Sequence, residues 1–305
     1  MCRWRPLFPW GGFLSLVPGL AAWAGAFYAV TLLPKTISSA TFWYALLALA
    51  LFLLGVLLLY WSTALFSLHY LFDRNGLIIR WGLSEQILPM NYITAVRPWK
   101  AEERVPERGL RWPGCHLGHA RSPELGLVRF FATAGRSAQL LVCTPESTFV
   151  LSPRDPERFV QELELRRELG VTRQLARTTR HRAILGLGIW RERPLWVLLV
   201  VALLANLALW GLLCYRFPGL AAHGFLTIRY REVVEEGQRR IIPEVIGRPV
   251  DLFRLPAFGL LLLGGNTVLA AWLYRDHRLL TYALGGTAVL VQILFWVQAA
   301  FVLGR

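Results

Sequence analysis

Acidic residues are scarce in this chain, and over five long stretches charge of either sign is missing. The 305 residues hold 19 Asp and Glu against 33 Lys and Arg, a formal net charge of +14. Lysine itself is nearly absent, with 2 residues against 31 Arg. Cys2, Cys115, Cys143 and Cys214 are too few and too scattered for a disulfide framework. There is no P-loop and no Gly-x-Ser-x-Gly, and Gly186-Leu187-Gly188 lacks the third glycine and the preceding strand of a dinucleotide fingerprint. Adjacent Glu235 and Glu236 would not point at one substrate. The expectation is therefore a protein that is not an enzyme, with no catalytic residue, no cofactor and no small-molecule substrate.

What is present in excess is apolar. Hydrophobic residues make up 55% of the chain, and there are 13 Trp. Residues 13–33, 42–66, 194–215, 257–274 and 279–303 contain no Asp, Glu, Lys or Arg. Each approaches or exceeds the ~20 apolar residues that span hydrocarbon. Trp10, Trp43, Tyr60, Trp61, Trp196, Tyr215, Trp272 and Tyr274 lie near their ends, where amphipathic rings favour the headgroup level. A second apolar run follows the first so closely that the first reads as a span rather than a cleaved leader. Charge-free spans argue against a proton-coupled transporter or an ion path.

Between the second and third runs lies a polar island. Residues 69–193 carry 20 Lys and Arg against 13 Asp and Glu. Arg3 and Arg5 precede the first run, and Arg275-Asp276-His277-Arg278 links the last two. The positive-inside rule then places the N-terminus, the island and that link in the cytoplasm, and the C-terminus outside after five spans. The seven Arg of the outward segment 216–255 fit that rule less well. Because an inner face is expected to be basic, the net charge does not call for a nucleic-acid partner.

Within the island, short strand-like runs replace the helical pattern. Tyr70-Leu71-Phe72-Asp73 leads through Asn75-Gly76, a strong hairpin signal, into Leu77–Gly82. Gln86–Pro89, Tyr92–Val96, Leu127–Thr133, Gln139–Cys143 and Ser147–Leu151 read as further strands, and 97–126 as a long polar loop. Asp155 then suits an N-cap and Pro156 the first helical position, with Phe159, Val160 and Leu163 as the apolar face. Roughly seven strands and a closing helix make a small barrel or bent sandwich.

These residues resemble a family. Gly76-Leu77-Ile78-Ile79-Arg80-Trp81-Gly82, Ile87-Leu88-Pro89, Ile93-Thr94-Ala95-Val96 and above all Leu151-Ser152-Pro153-Arg154-Asp155-Pro156-Glu157-Arg158-Phe159 resemble the bacterial pleckstrin-homology (PH-like) domain. Arg111-Trp112-Pro113-Gly114 and Val128–Thr133 resemble the long loop and following strand of its membrane-tethered members. A second resemblance, over 237–302, is to a family of uncharacterised bacterial membrane proteins with a Gly-x-Pro element before a transmembrane hairpin. Gly247-Arg248-Pro249 is similar to that element, whereas Thr227-Ile228-Arg229-Tyr230 stands where that family has Pro-x-His-Phe.

Several side chains are candidates for sites. Cys115-His116-Leu117-Gly118-His119 holds metal-ligand residue types, but one short cluster supplies too few ligands at awkward spacing, so no metal site is expected. Arg166 and Arg167 begin a basic tract that continues through Arg173, Arg177, Arg180, Arg182, Arg191 and Arg193. Juxtamembrane cations contribute about 1 kcal/mol each toward an anionic leaflet, so this tract is a candidate lipid contact. Ala21-x-x-x-Gly25, Asn206, Gly264-Gly265 and Asn266 are candidates for close helix packing and interhelical hydrogen bonds, and Gln292 and Gln298 are polar as well.

The expected fold is a polytopic α-helical membrane protein of about five transmembrane helices, with an inserted cytoplasmic PH-like β-barrel or sandwich capped by a C-terminal α-helix. Its expected parts are a transmembrane hairpin (1–68), the PH-like domain (69–170), a basic juxtamembrane segment (171–193), a third helix (194–215), an extracytoplasmic segment (216–255) and a second hairpin (256–305). The expected function is a non-catalytic interaction or scaffold protein that presents the PH-like domain at the inner surface of the bacterial cytoplasmic membrane, in signalling or oligomer assembly. Its expected partners are the lipid bilayer and a protein partner or a second copy of itself. The alternatives are an accessory subunit held in a larger complex through its helices and, third, a transporter or membrane enzyme.

Overall fold

The alternation of apolar residues from 69 onward becomes, in a computed structural model of the chain, two sheets that share a main core. The structure describes residues 2–99, 105, 108–170, 178–181, 192–222, 226–235, 238–274 and 277–303. They divide into two units, Met1–Ala26 with Ala50–Gly186, and Phe27–Leu49 with Leu187–Arg305, so the division falls within the first two helices.

Those helices are α1 (Trp10–Thr31) and α2 (Ser39–Phe66). The β domain of the first unit follows directly. Its first sheet comprises β1 (Cys2–Trp4), β2 (His69–Asp73), β3 (Gly76–Trp81), β4 (Ser84–Pro89) and β11 (Thr178–His181), in order β1-β2-β3-β4-β11 and all antiparallel. Its second comprises β5 (Ala95–Pro98), β6 (Arg108–Trp112), β7 (Cys115–Ser122), β8 (Gly126–Ala132), β9 (Leu140–Cys143) and β10 (Ser147–Leu151), in order β5-β9-β10-β8-β7-β6. There β8 and β10 pair in parallel.

Helix α3 (Pro156–Glu168) plugs the space between the sheets. Asp155 caps it, its carboxylate accepting from Arg158 N at 3.2 Å, and Pro156 fills the position where a missing N–H is harmless. Phe159 is fully buried, with ring centroids 4.6 Å from Phe72, 5.6 Å from Trp4 and 6.0 Å from Tyr70. The hydroxyl of Tyr70 donates to Phe131 O (2.7 Å) and accepts from Ser152 N (3.2 Å), so this buried polar atom ties both sheets together. Burial pushes its phenol pKa up to about 12.

Three sequence expectations change. The long loop 97–126 instead contains the end of β5 and the whole β6–β7 hairpin, whose Pro113-Gly114 turn places Gly114 at φ +76°. Its polar composition belongs to a half-exposed edge hairpin. The first turn lies one residue earlier than Asn75-Gly76 implied. Asp73 pairs with Gly76, leaving Arg74-Asn75 as the turn. Gly76 is required for a different reason: a Cβ there would sit 2.5 Å from Leu88 O on β4. Finally, segments expected to lie outside the domain add strands to its first sheet, β1 before α1 and β11 within 171–193.

The second unit contains α4 (Arg193–Ala222), the hairpin β12 (Leu226–Glu235) with β13 (Gln238–Gly247), α5 (Arg254–Leu273) and α6 (Arg278–Leu303). A 3-10 turn, Pro249–Phe253, leads into α5. Among the described residues five helices are long and apolar enough to cross a membrane, which is the architecture of a multi-pass membrane protein. Helix α4 continues past the expected end at 215, since Arg216 and Pro218 do not end its hydrogen-bonded run.

The plug generates a direct prediction. Phe159→Ala should destabilise the β domain by about 3–5 kcal/mol, because the aromatic cluster cannot collapse into the space of a whole ring. Denaturant titration of the full chain in detergent should show the loss as an earlier transition in β-domain signals, with the helical signal retained.

Candidate functional site

The β domain is fastened to the first helices rather than hung from them. Trp112, at the end of β6, donates its indole N–H to Gly11 O at 3.0 Å. Ser62 on α2 donates to Gly12 O at 2.8 Å. The contacts need bare backbone, since a Cβ on Gly11 would meet Gly114 O and Trp112 Nε1, each at 2.7 Å, and one on Gly12 would meet Phe66 at 2.8 Å. Trp61 and Trp112 bring their ring centroids to 5.8 Å. Leu65, fully buried, joins Cys115 and Leu117 in a small core beneath the hairpin. Gly82, at φ +51°, packs its turn against Ala64 and Tyr60, and its N–H donates to Ser67 Oγ at 2.9 Å.

Next to this junction the β domain opens a groove of about 470 Å³, bordered by Trp81, Leu110, Leu117, His119, Arg129 and Phe131. Two facing glycines shape it. Gly109 and Gly118 are paired across β6 and β7, and a Cβ on either would strike the opposite backbone. Gly109 has φ +148°, which favours glycine. Arg129 crosses between the sheets, donating to Gln86 Oε1 at 3.1 Å and lying 5.8 Å over the Phe149 ring. Trp81 Nε1 is buried with no acceptor. An unmet donor of this kind costs about 1–3 kcal/mol. The surface is suited to holding an extended apolar segment, and it brings together no nucleophile and base.

Residues 68–167 match the family model of the bacterial PH domain. The match covers about a third of the chain, the part holding β2–β10 and most of α3. No curated protein and no solved structure matches the chain. The groove, the α3 plug and the contacts with the ends of α1 and α2 thus lie within or beside the matched segment. Strands β1 and β11 lie outside it.

The sequence candidates have varied surroundings. Arg173, Arg177, Arg182 and Arg191 lie outside the described residues. Arg180 occupies β11 in register with Glu85, and Arg193 is exposed at the start of α4. Arg166 is engaged within the domain, pairing with Glu162 at 2.6 Å and donating to Phe72 O at 3.3 Å. Cys115 is buried on β7, and among the described residues no group of three His, Cys, Asp or Glu could hold a metal ion. Ala21 is exposed while Ala22 and Ala26 are buried; a Cβ on Gly25 would be 3.3 Å from Leu51.

In the second unit, Asn206 is fully buried and donates to Pro256 O (2.9 Å) and Gln292 Oε1 (3.0 Å). Gln292 in turn donates to Gly259 O at 3.0 Å, and Gly259 is where the close approach occurs. Gly264 and Gly265 face nothing within 4 Å, whereas a Cβ on Gly285 would meet Leu195 at 2.9 Å. Among the described residues, then, the close approach to a neighbouring helix is at Gly285 and Gly259 rather than at the glycine pair. Asn266 donates to Leu284 O and Thr287 Oγ1, both at 3.3 Å.

Glu192 had no signal in the sequence beyond being a lone acid among arginines. Just before α4, its carboxylate accepts from Tyr274 (2.6 Å), Tyr282 (2.6 Å) and Arg278. The Tyr274 bond, then those from Tyr282 and Arg278, hold its pKa down to about 2. This clamp fixes the start of α4 to the α5–α6 connection.

Two outcomes follow. Gly11→Ala should undock the β6–β7 hairpin, raising amide hydrogen exchange in 108–122 of the detergent-solubilised chain while the α3 plug stays protected. The carboxyl carbon of Glu192 should titrate near 2, moving toward 4.5 in Tyr274→Phe/Tyr282→Phe. A carboxyl depressed in the folded state stabilises it above the unfolded value. That contribution should fade as pH falls from about 4.5 to about 2.

Proposed function

We propose that the chain is a membrane-anchored, non-catalytic interaction protein that presents its PH-like domain at the inner surface of a bacterial cytoplasmic membrane. The observation that carries this reading is the groove beside Trp81, open on a domain that the Trp112–Gly11 and Gly82–Ser67 bonds tie to the ends of α1 and α2, themselves joined by Ser62–Gly12. A fixed groove favours recognition because little further ordering is needed when a partner segment settles into it. The partner is a protein, either another chain or a second copy, and binding uses apolar contact over glycine-bared strands. The positive-inside rule supports a cytoplasmic N-terminus and PH-like domain, with the C-terminus outside.

A second reading has its own observation. An apolar cleft of about 520 Å³ lies within the second unit, bordered by Phe42, Leu46, Trp210, Cys214 and Phe253 among others. It supports an accessory subunit held in a complex through its helices.

Photocrosslinking separates the two. With a photoreactive residue at Leu110 or His119 in the full chain in its native membrane, the interaction reading expects a discrete protein adduct that Gly118→Val weakens. Adducts confined to probes at Phe42 or Phe253 would overturn that reading in favour of the subunit. Orientation is checked by labelling exposed Cys2 with an impermeant thiol reagent, which should react only after the cells are opened.

A further inference from the structure

The N-terminal segment does more than lead into α1. Leu7 N donates to Ser152 O (2.9 Å), Arg154 N donates to Arg5 O (3.1 Å), and Pro6 bridges Pro153. Thr133 Oγ1 closes the same seam on Leu7 O at 2.6 Å. This zipper sets Arg5 beside Arg154, while β1 adds Arg3 to the same rim. The three arginines border a cleft of about 540 Å³ whose other walls include Phe8, Phe66 and Leu68. No acidic residue lines it. All three are exposed, and none has a carboxylate partner among the described residues. The pKa of neighbouring His69 is lowered by burial first, and the charges of Arg3 and Arg80 add to that effect.

An adjoining cleft of about 740 Å³ shares these arginines but also contains Asp155 and Glu157. There Asp155 already serves α3 and pairs with Arg158 at 3.4 Å. An anion is therefore favoured in the first cleft over the second.

The apolar side of the first cleft has a direction. Phe8 stacks on Phe13 at 5.9 Å, Phe13 meets Phe66 at 5.1 Å, and Phe8 meets Trp10 at 5.0 Å. All four rings are exposed, between 42% and 67%. They lie at the start of α1 and the end of α2, where chain crosses from water to hydrocarbon. Arginines on the rim and exposed aromatics alongside match a molecule that joins a phosphate to acyl chains.

We propose that the Arg3–Arg5–Arg154 cleft binds the phosphate headgroup of one anionic phospholipid, with the acyl chains against Phe8, Phe13 and Phe66. Guanidinium forks suit phosphate oxygens, and the aromatic rings give the chains an apolar surface at headgroup depth. Binding here clamps β1, the α3 turn and the ends of α1 and α2 through one ligand. The inference does not rest on the interaction reading, since lipid preference and groove crosslinking can each fail while the other persists.

The test is native mass spectrometry of the full chain, stripped of lipid in detergent and titrated with phosphatidylglycerol or phosphatidylcholine of the same chain length. The wild type should retain one phosphatidylglycerol at least about tenfold more tightly than phosphatidylcholine. Each of Arg3→Gln, Arg5→Gln and Arg154→Gln should weaken it about fivefold, and the triple variant should lose the preference. Arg121→Gln, on the exposed part of β7, should leave it unchanged. A triple Lys variant keeps the charge and should keep most of the preference, which separates loss of the site from loss of fold. An undiminished preference in the triple Gln variant would overturn the proposal. So would glycerol phosphate displacing the lipid at equal concentration, since that result marks a site for soluble phosphate.

Discussion

The first unit depends on how closely bare backbone at the start of α1 is approached by its neighbours. Gly11 and Gly12 leave their carbonyls open to the Trp112 indole and the Ser62 hydroxyl. A side chain at either glycine would push away the hairpin turn or Phe66. Such bonds lie near the membrane boundary, where competing water is reduced and an unmet donor is more costly. The two contacts make α1, α2 and the β6–β7 hairpin a single mechanical piece. The short Ser67-Leu68 step from α2 to β2 then leaves little slack, and Leu68 is itself in the domain core.

The same closeness explains why the PH-like domain recruits chain from outside its matched segment. Its β2 edge would present unpaired backbone groups to its surroundings, a liability in any sheet. Cys2, Arg3 and Trp4 cover that edge in register with Phe72, Leu71 and Tyr70. Trp4 also adds an edge-on ring to Phe159, so the cover reaches the core. At the opposite edge β11 pairs with β4. The domain is thus assembled partly from the segments that lead to and from the membrane helices.

Local signals in the sequence carried some elements and not others, for physical reasons. The five apolar runs and the Asp155-Pro156 helix start are legible because hydrophobic length and capping chemistry are properties of contiguous residues. The hairpin after Asp73 is legible as a hairpin, but its register is not, because Gly76 answers to Leu88 on another strand. Strand β1 is three residues long, and its pairing partner lies near residue 70. The loop reading of 97–126 fails similarly, since the β6–β7 edge takes its order from β8 and from α1. The Arg3–Arg5–Arg154 cleft and the Glu192 clamp are assembled from distant residues, so neither leaves a motif.

Polar groups in the second unit show where helix packing is set. Asn206, Gln292 and the carbonyls of Pro256 and Gly259 satisfy one another across α4, α5 and α6, with only Asn206 Oδ1 left without a donor. Gly259 permits this because any Cβ would displace both amides. Interhelical hydrogen bonds average only about 0.6 kcal/mol, with lipid tails as apolar as leucine, so their main effect is to select one rotation of each helix. The Glu192 clamp fixes the same three helices at one end. A polar layer at mid-span and an ionic tie at the end together define register and rotation, which uniformly apolar faces cannot do.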